Sequence, residues 1–241
     1  MKLHRKIAKI FGYELIKRNK HPTLSSHIIN LINHYKIDLM LDVGANYGQF
    51  GYMLRNEGYK GEIHSFEPVS HSFDHLQKAC LNDEKWFVHK LAMGAADGKD
   101  AINVTEASDM SSFLDPNDFG GREFEKISVV HREVVEIETI DGFLPRQITD
   151  FNKRRIFLKM DTQGYDLKVL EGSLKVMDYI DCILSEVSLI PIYSGMPHYL
   201  DALGKYEEYG FLVTGLYPVS RQKKSLSVIE MDCVLINSRK T

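Results

Sequence analysis

The sequence is poor in cysteine. It holds three, Cys80, Cys182 and Cys233, an odd number with no C-x-x-C spacing. That excludes a disulfide framework and a zinc knuckle, and it predicts a reducing compartment. Long apolar runs are missing too, so no segment reaches the roughly 20 residues of a membrane helix. Neither sign of charge dominates. Thirty Lys and Arg against 33 Asp and Glu leave a net charge of −3, which argues against bulk electrostatic binding of nucleic acid. There is no internal repeat and no low-complexity segment. What is present, 44% hydrophobic and 26% charged residues in a chain of 241, suits one soluble domain with a sizeable core.

The N-terminal "MKLHRKIAKIFGYELIKRNK" is basic, without the apolar core or small-residue cleavage site of a secretory signal. Leu3, Ile7, Ile10 and Phe11 recur at helical spacing, with Arg5, Lys6 and Lys9 between them. This reads as a helix packed on the domain with a solvated basic face. The alternative is weak contact with an anionic membrane surface from the cytoplasmic side. Ile28, Leu31, Ile32 and Tyr35 make a second helical face, so residues 1–37 read as a helical extension and 38–241 as the main domain.

Beyond it, strands and helices alternate. "LMLDV", "EIHSFEP", "WFVHKLAMG", "RIFLKMD" and "CILSEVSL" read as strands, near-continuously apolar as in a parallel sheet covered on both faces. Helices are expected over Gln49–Glu57, over Phe73–Leu81 with Ser70 as cap, over Leu167–Met177 and over Tyr199–Tyr209. "FLVTGLYPV" and "MDCVLINS" read as a closing hairpin, with Arg221, Lys223 and Lys224 at a solvated tip. The inserted region from Asp97 to Glu138 holds two short strands and a polar loop, "ASDMSSFLDPNDFGG", longer than an ordinary connection. The pattern predicts a doubly wound α/β sheet with its ligand site beyond the carboxyl ends of the strands, beside the first.

Three features meet there. Asp42 ends the first strand, Gly44 and Gly48 open the turn into a helix, and Glu67 ends the second strand. A carboxylate in Glu67's place suits the two hydroxyls of a ribose. A dinucleotide would want G-x-G-x-x-G, whereas this turn reads G-A-N-Y-G and follows an acid that would repel a pyrophosphate. S-adenosylmethionine has no phosphate and carries two cationic groups, which Asp42 would suit. The expected cofactor set is Asp42, Gly44, Ala45, Asn46, Gly48, Glu67 and Pro68. The rival readings are a nicotinamide-dependent oxidoreductase and a non-catalytic cofactor-binding partner protein.

"DVGANYGQF", "SFEP", "SSFL", "ETIDGF", "LKMDTQGYDLKVLEGS" and "LSEVSLIPIY" together resemble, in order and spacing, the FkbM-type methyltransferases, over roughly residues 36 to 237. The resemblance implies a Rossmann-like class I fold, a mostly parallel seven-stranded sheet with an antiparallel C-terminal strand. It also implies S-adenosylmethionine as cofactor and methyl transfer to a hydroxyl of a sugar, glycan, glycolipid or secondary metabolite. Asp161 and Gly164 match the family's K-x-D-x-E-G motif, but Gln163 stands where many members have Glu, which argues against a divalent metal held between two acids. Asp161 is the first candidate to activate or position the acceptor, and Glu186 is the second. His131 and His198 are further candidates, which the sequence does not rank. Ser111 and Ser112 could help cover the site.

Overall fold

The computed structural model describes residues 2–13 and 22–240. The part of the expected N-terminal helical region that spans 14–21 lies outside the described residues. Helices α1 (Lys2–Ile10) and α2 (Leu24–Tyr35) come first. The Thr23 hydroxyl accepts from the Ser26 N–H and caps α2, and Lys36 closes it in the left-handed region at φ 55°. Ile28 and Ile32 of α2 are buried with Met40, Leu54 and Val234. The other helix does not pack as expected: Leu3, Ile7 and Ile10 are 67%, 45% and 80% exposed.

Strand β1 (Leu39–Val43) is buried at all five positions, as its apolar run requires. Then come α3 (Gln49–Asn56), β2 (Glu62–Phe66), α4 (Ser70–Cys80) and β3 (Trp86–His89). Ser70 lies inside α4 and does not cap it. Its hydroxyl and N–H are both committed to the Glu133 carboxylate, and Val69 holds the cap position.

The segment "WFVHKLAMG" is split between two sheets. Its end, β4 (Ala92–Met93), leaves the main sheet and joins β5 (Gly98–Thr105) and β6 (Val129–Glu138) in the order β4-β6-β5. The polar loop between β5 and β6 is folded. It contains α5 (Asp118–Glu123), whose first turn is capped when the Asn117 side chain accepts the Gly120 N–H at 2.8 Å. The Asn117 amide also donates to the Pro191 carbonyl at 2.9 Å. Ile127, Ile192, Tyr193, Met196 and Ile229 form a buried cluster beneath this cap.

The second half holds α6 (Ile140–Gln147), β7 (Ile156–Met160), α7 (Asp166–Glu171), β8 (Ile180–Ser188), α8 (Tyr199–Glu208), β9 (Phe211–Arg221) and β10 (Val228–Asn237). The expected helix to Met177 stops early. The Gly172 carbonyl accepts the Asp141 N–H at 2.8 Å, and a Cβ at 172 would sit 1.9 Å from the Gly94 carbonyl oxygen. The main sheet runs β3-β2-β1-β7-β8-β10-β9, with β10 antiparallel to both neighbours. Core side chains alternate between the two faces of this sheet: Leu39 and Leu41 point into one layer, Met40 into the other. Strand order reverses between β1 and β7, and there the carboxyl ends of the strands diverge to leave a crevice.

Candidate active site

The chain leaves β1 through a turn from Gly44 to Gly48. Gly44 has φ 71°, and a Cβ there would lie 2.0 Å from the carbonyl oxygen of Asp161. The bare backbone is demanded by the neighbouring chain end of β7, not only by a ligand. Asn46 is also left-handed, at φ 46°. Its N–H donates to Oε2 of Glu67 at 2.8 Å, while the Val69 N–H donates to Oε1 at 2.9 Å. Glu67 therefore ties the turn to the start of α4. Burial pushes its carboxyl up to about 7, although both backbone N–H groups favour the charged form.

Below this level runs a buried polar row in sheet register. Ser65 pairs with Asp42, and Asp42 with Lys159. The Ser65 hydroxyl donates to Oδ2 of Asp42 at 2.9 Å, and it accepts the Trp86 indole N–H at 2.9 Å. Lys159 Nζ lies 3.1 Å from Oδ1 of Asp42 and donates to the Gly44 carbonyl at 2.8 Å. Asp42 is fully buried and does not line the crevice. Direct contact with a cationic cofactor group is not what the structure gives Asp42: its countercharge is internal, supplied by Lys159. This lysine was missed from sequence, although a charge in the middle of "IFLKM" was the available signal. Burial opposes its charge, and Asp42 and Asp161 more than reverse that effect.

Above the row opens a cavity of about 440 Å³. Gly44, Ala45, Asn46, Glu67 and Pro68 line it; Gly48, at the N-cap of α3, does not. Leu91, Met93, Ile102 and Phe113 supply apolar walls, and Asp161, Gln163 and Asp232 lie at the β7 side. The Asp161 side chain is 48% exposed, 3.6 Å from Lys159. Gln163, at φ 52°, reaches both candidate acids: Nε2 lies 3.4 Å from Oδ1 of Asp161 and 3.2 Å from Oε2 of Glu186. Glu186 faces a smaller void and not the main cavity. Burial pushes its carboxyl well above the usual range, and Asp161 and Glu230 add to the shift. Asp232, opposite Glu186 in register, is pushed up to about 7 by burial and by Asp161. Asp232 was not anticipated, because only the hairpin's return across β8 brings it here.

Neither histidine reaches the cavity. His131 is exposed on β6, and His198 precedes α8. Ser111 lines the cavity, and the Ser112 hydroxyl donates to the Gln163 carbonyl at 2.7 Å. The Tyr193 hydroxyl donates to the Met110 carbonyl at 2.7 Å and lies 3.0 Å from Oε1 of Gln163. The cap is thus fastened to the acids through Gln163.

These residues fit an adenosyl cofactor bearing an amino acid. Glu67 presents a carboxylate with one lone pair left on each oxygen, and Oδ1 of Asn46 is buried without a hydrogen-bond partner. Apolar walls with a few convergent polar groups suit a nucleoside. Sheet order 3-2-1-4-5-7-6 in the chain sequence of the seven strands, with the cavity at the switch point, is the class I methyltransferase fold. Residues 42–213 match the methyltransferase FkbM domain, and the chain belongs to that family. It is an S-adenosylmethionine-dependent methyltransferase.

No curated protein matches the chain. Among solved structures it is similar to an uncharacterized protein from Listeria monocytogenes, at 13% identity and TM-score 0.47, covering 90% of this chain and 69% of that one. It is also similar to a methyltransferase-like protein from Streptococcus mutans in complex with SAH, at 10% identity, TM-score 0.46, and 92% and 99% coverage. A third is an RNA methyltransferase-like protein from Pyrococcus horikoshii, at 15% identity, TM-score 0.43, and 88% and 83% coverage.

Proposed function

We propose that this enzyme methylates a hydroxyl oxygen of a sugar, a glycan or glycolipid, or a secondary metabolite, in the cytoplasm, with residues 38–241 as the methyltransferase domain. One observation carries this reading. Asp161 is a half-exposed carboxylate at the cavity end, held between Lys159 and the Gln163 amide. When bound, S-adenosylmethionine supplies an electrophilic methyl group. Glu67 would receive the ribose hydroxyls, and Asn46 would offer its unpartnered Oδ1 to a donor of the amino-acid portion. Asp161 would orient the acceptor hydroxyl and take its proton as the oxygen–carbon bond forms and the methyl carbon–sulfur bond breaks, leaving S-adenosylhomocysteine, since a sugar hydroxyl is a weak nucleophile. Burial favours the protonated form of Glu186, so it suits a hydrogen-bond donor better than a base. Asp161, Asp232 and Asp109 at the cavity disfavour a polyanionic acceptor such as RNA.

Methyl-labelled cofactor offered to a panel of hydroxylated sugars, glycans and RNA tests the reading. Labelled glycan is the expected product, and labelled RNA alone overturns the acceptor class. Asp161→Asn is expected to lower kcat by about 10²–10⁴-fold with the dissociation constant for S-adenosylhomocysteine unchanged. Wild-type turnover in the folded variant removes Asp161 from the role.

A further inference from the structure

The charge of this chain is divided unevenly. Its first 21 residues carry seven of the 30 Lys and Arg and one of the 33 Asp and Glu. The remainder therefore holds 23 basic against 32 acidic residues, so a segment of net +6 leads a body of net −9. Asymmetry of this kind marks a basic arm directed at an anionic surface.

The structure adds a second, independent feature. Leu3, Ile7 and Ile10 lie on one side of α1 and are exposed, followed by Phe11 at 72% and Tyr13 at 71% exposure. His4, Lys6 and Lys9 flank that stripe and are exposed as well. An apolar stripe of this size on a surface helix is normally buried against its own domain. Here the basic flanks match a layer of anionic headgroups, and the stripe matches the acyl boundary beneath them.

We infer that α1 docks on the surface of an anionic phospholipid bilayer, lying in the interface plane without crossing it. No described helix is long and apolar enough to span a membrane. The acidic body would be repelled by the same lipid, so attachment rests on the arm alone. Leu24 and Ser25, at the start of α2, line the cofactor cavity. The helix that follows the arm in the chain thus begins at the cavity rim, and, on the function proposed above, a membrane-bound arm would favour lipid-borne acceptors.

The test uses the full chain and vesicles of phosphatidylcholine with or without phosphatidylglycerol, read by co-sedimentation. Binding is expected only with phosphatidylglycerol, and it should be lost in high salt. The double variant Ile7→Glu, Ile10→Glu should weaken vesicle binding by about tenfold or more, with melting temperature and affinity for S-adenosylhomocysteine unchanged. Lys6→Glu with Lys9→Glu should do the same. Equal binding to both vesicle types, no binding to either, or full binding by the Ile7→Glu, Ile10→Glu protein overturns the proposal. So does a dimer that these substitutions dissociate in light scattering, which would assign the stripe to a second copy, or retention by RNA in place of vesicles.

Discussion

The carboxamide nitrogen of Gln163 lies 3.2 Å from Oε2 of Glu186, and the same nitrogen is 3.4 Å from Oδ1 of Asp161. An amide can offer one hydrogen to each acid, which a carboxylate in this place could not do. Gln163→Glu would set a third carboxyl group beside the pair. The half-maximal point of the pH–rate profile is expected to move up by about one unit or more, as for carboxylates sharing a site. An unmoved profile in a folded variant would show that Gln163 only fastens the cap.

Gly44 is expected to matter for folding before it matters for binding. A methyl group there meets the Asp161 carbonyl oxygen at 2.0 Å, and φ 71° is strained for any L side chain. Gly44→Ala should cost about 2–4 kcal/mol by chemical denaturation, combining overpacking with backbone strain. A stable variant that fails only to bind cofactor would return the glycine to a purely ligand-driven role.

The Asp42–Lys159 pair is buried on both sides. Lys159→Met leaves an unpaired carboxylate inside the sheet and is expected to cost about 3–5 kcal/mol. Adding Asp42→Asn removes that charge while an acceptor for Ser65 remains. The double variant should recover part of the loss, and the coupling can be measured by a double-mutant cycle. Additive losses would mean that the two charges do not support one another.

Glu67 links cofactor binding to pH. A diol donates to the carboxylate, so the ionised form is the binding form. Affinity for S-adenosylhomocysteine should rise with pH to about 7 and then level off, with proton release seen by calorimetry in buffers of different ionisation heat. Glu67→Ala should remove this dependence and weaken binding by about 1.5–3 kcal/mol per lost hydrogen bond. Without ligand the sign reverses. The folded protein keeps a proton that the unfolded chain releases above 4.5, so stability declines as pH rises from 4.5 toward 7. A wild-type affinity that does not vary across this window would contradict the assignment.

Local pattern by itself determined the strands, most helices, the glycine turn and the acids at the tips of β1, β2, β7 and β8. Apolar periodicity and chain punctuation are properties of neighbouring residues, and they are legible without a fold. Only the tertiary structure decided what those acids face. Asp42 looks outward in the sequence, but sheet register sets it against Lys159, which lies 117 positions later. Asp232 enters the cavity through the antiparallel return of β10, and Gln163 becomes a bridge because the cap folds back through Tyr193. The polar loop became a cap because its scattered apolar residues find partners in the segment after β8. Each of these pairings joins segments far apart in the chain, and their energies depend on burial and partner distance, which a one-dimensional pattern does not contain.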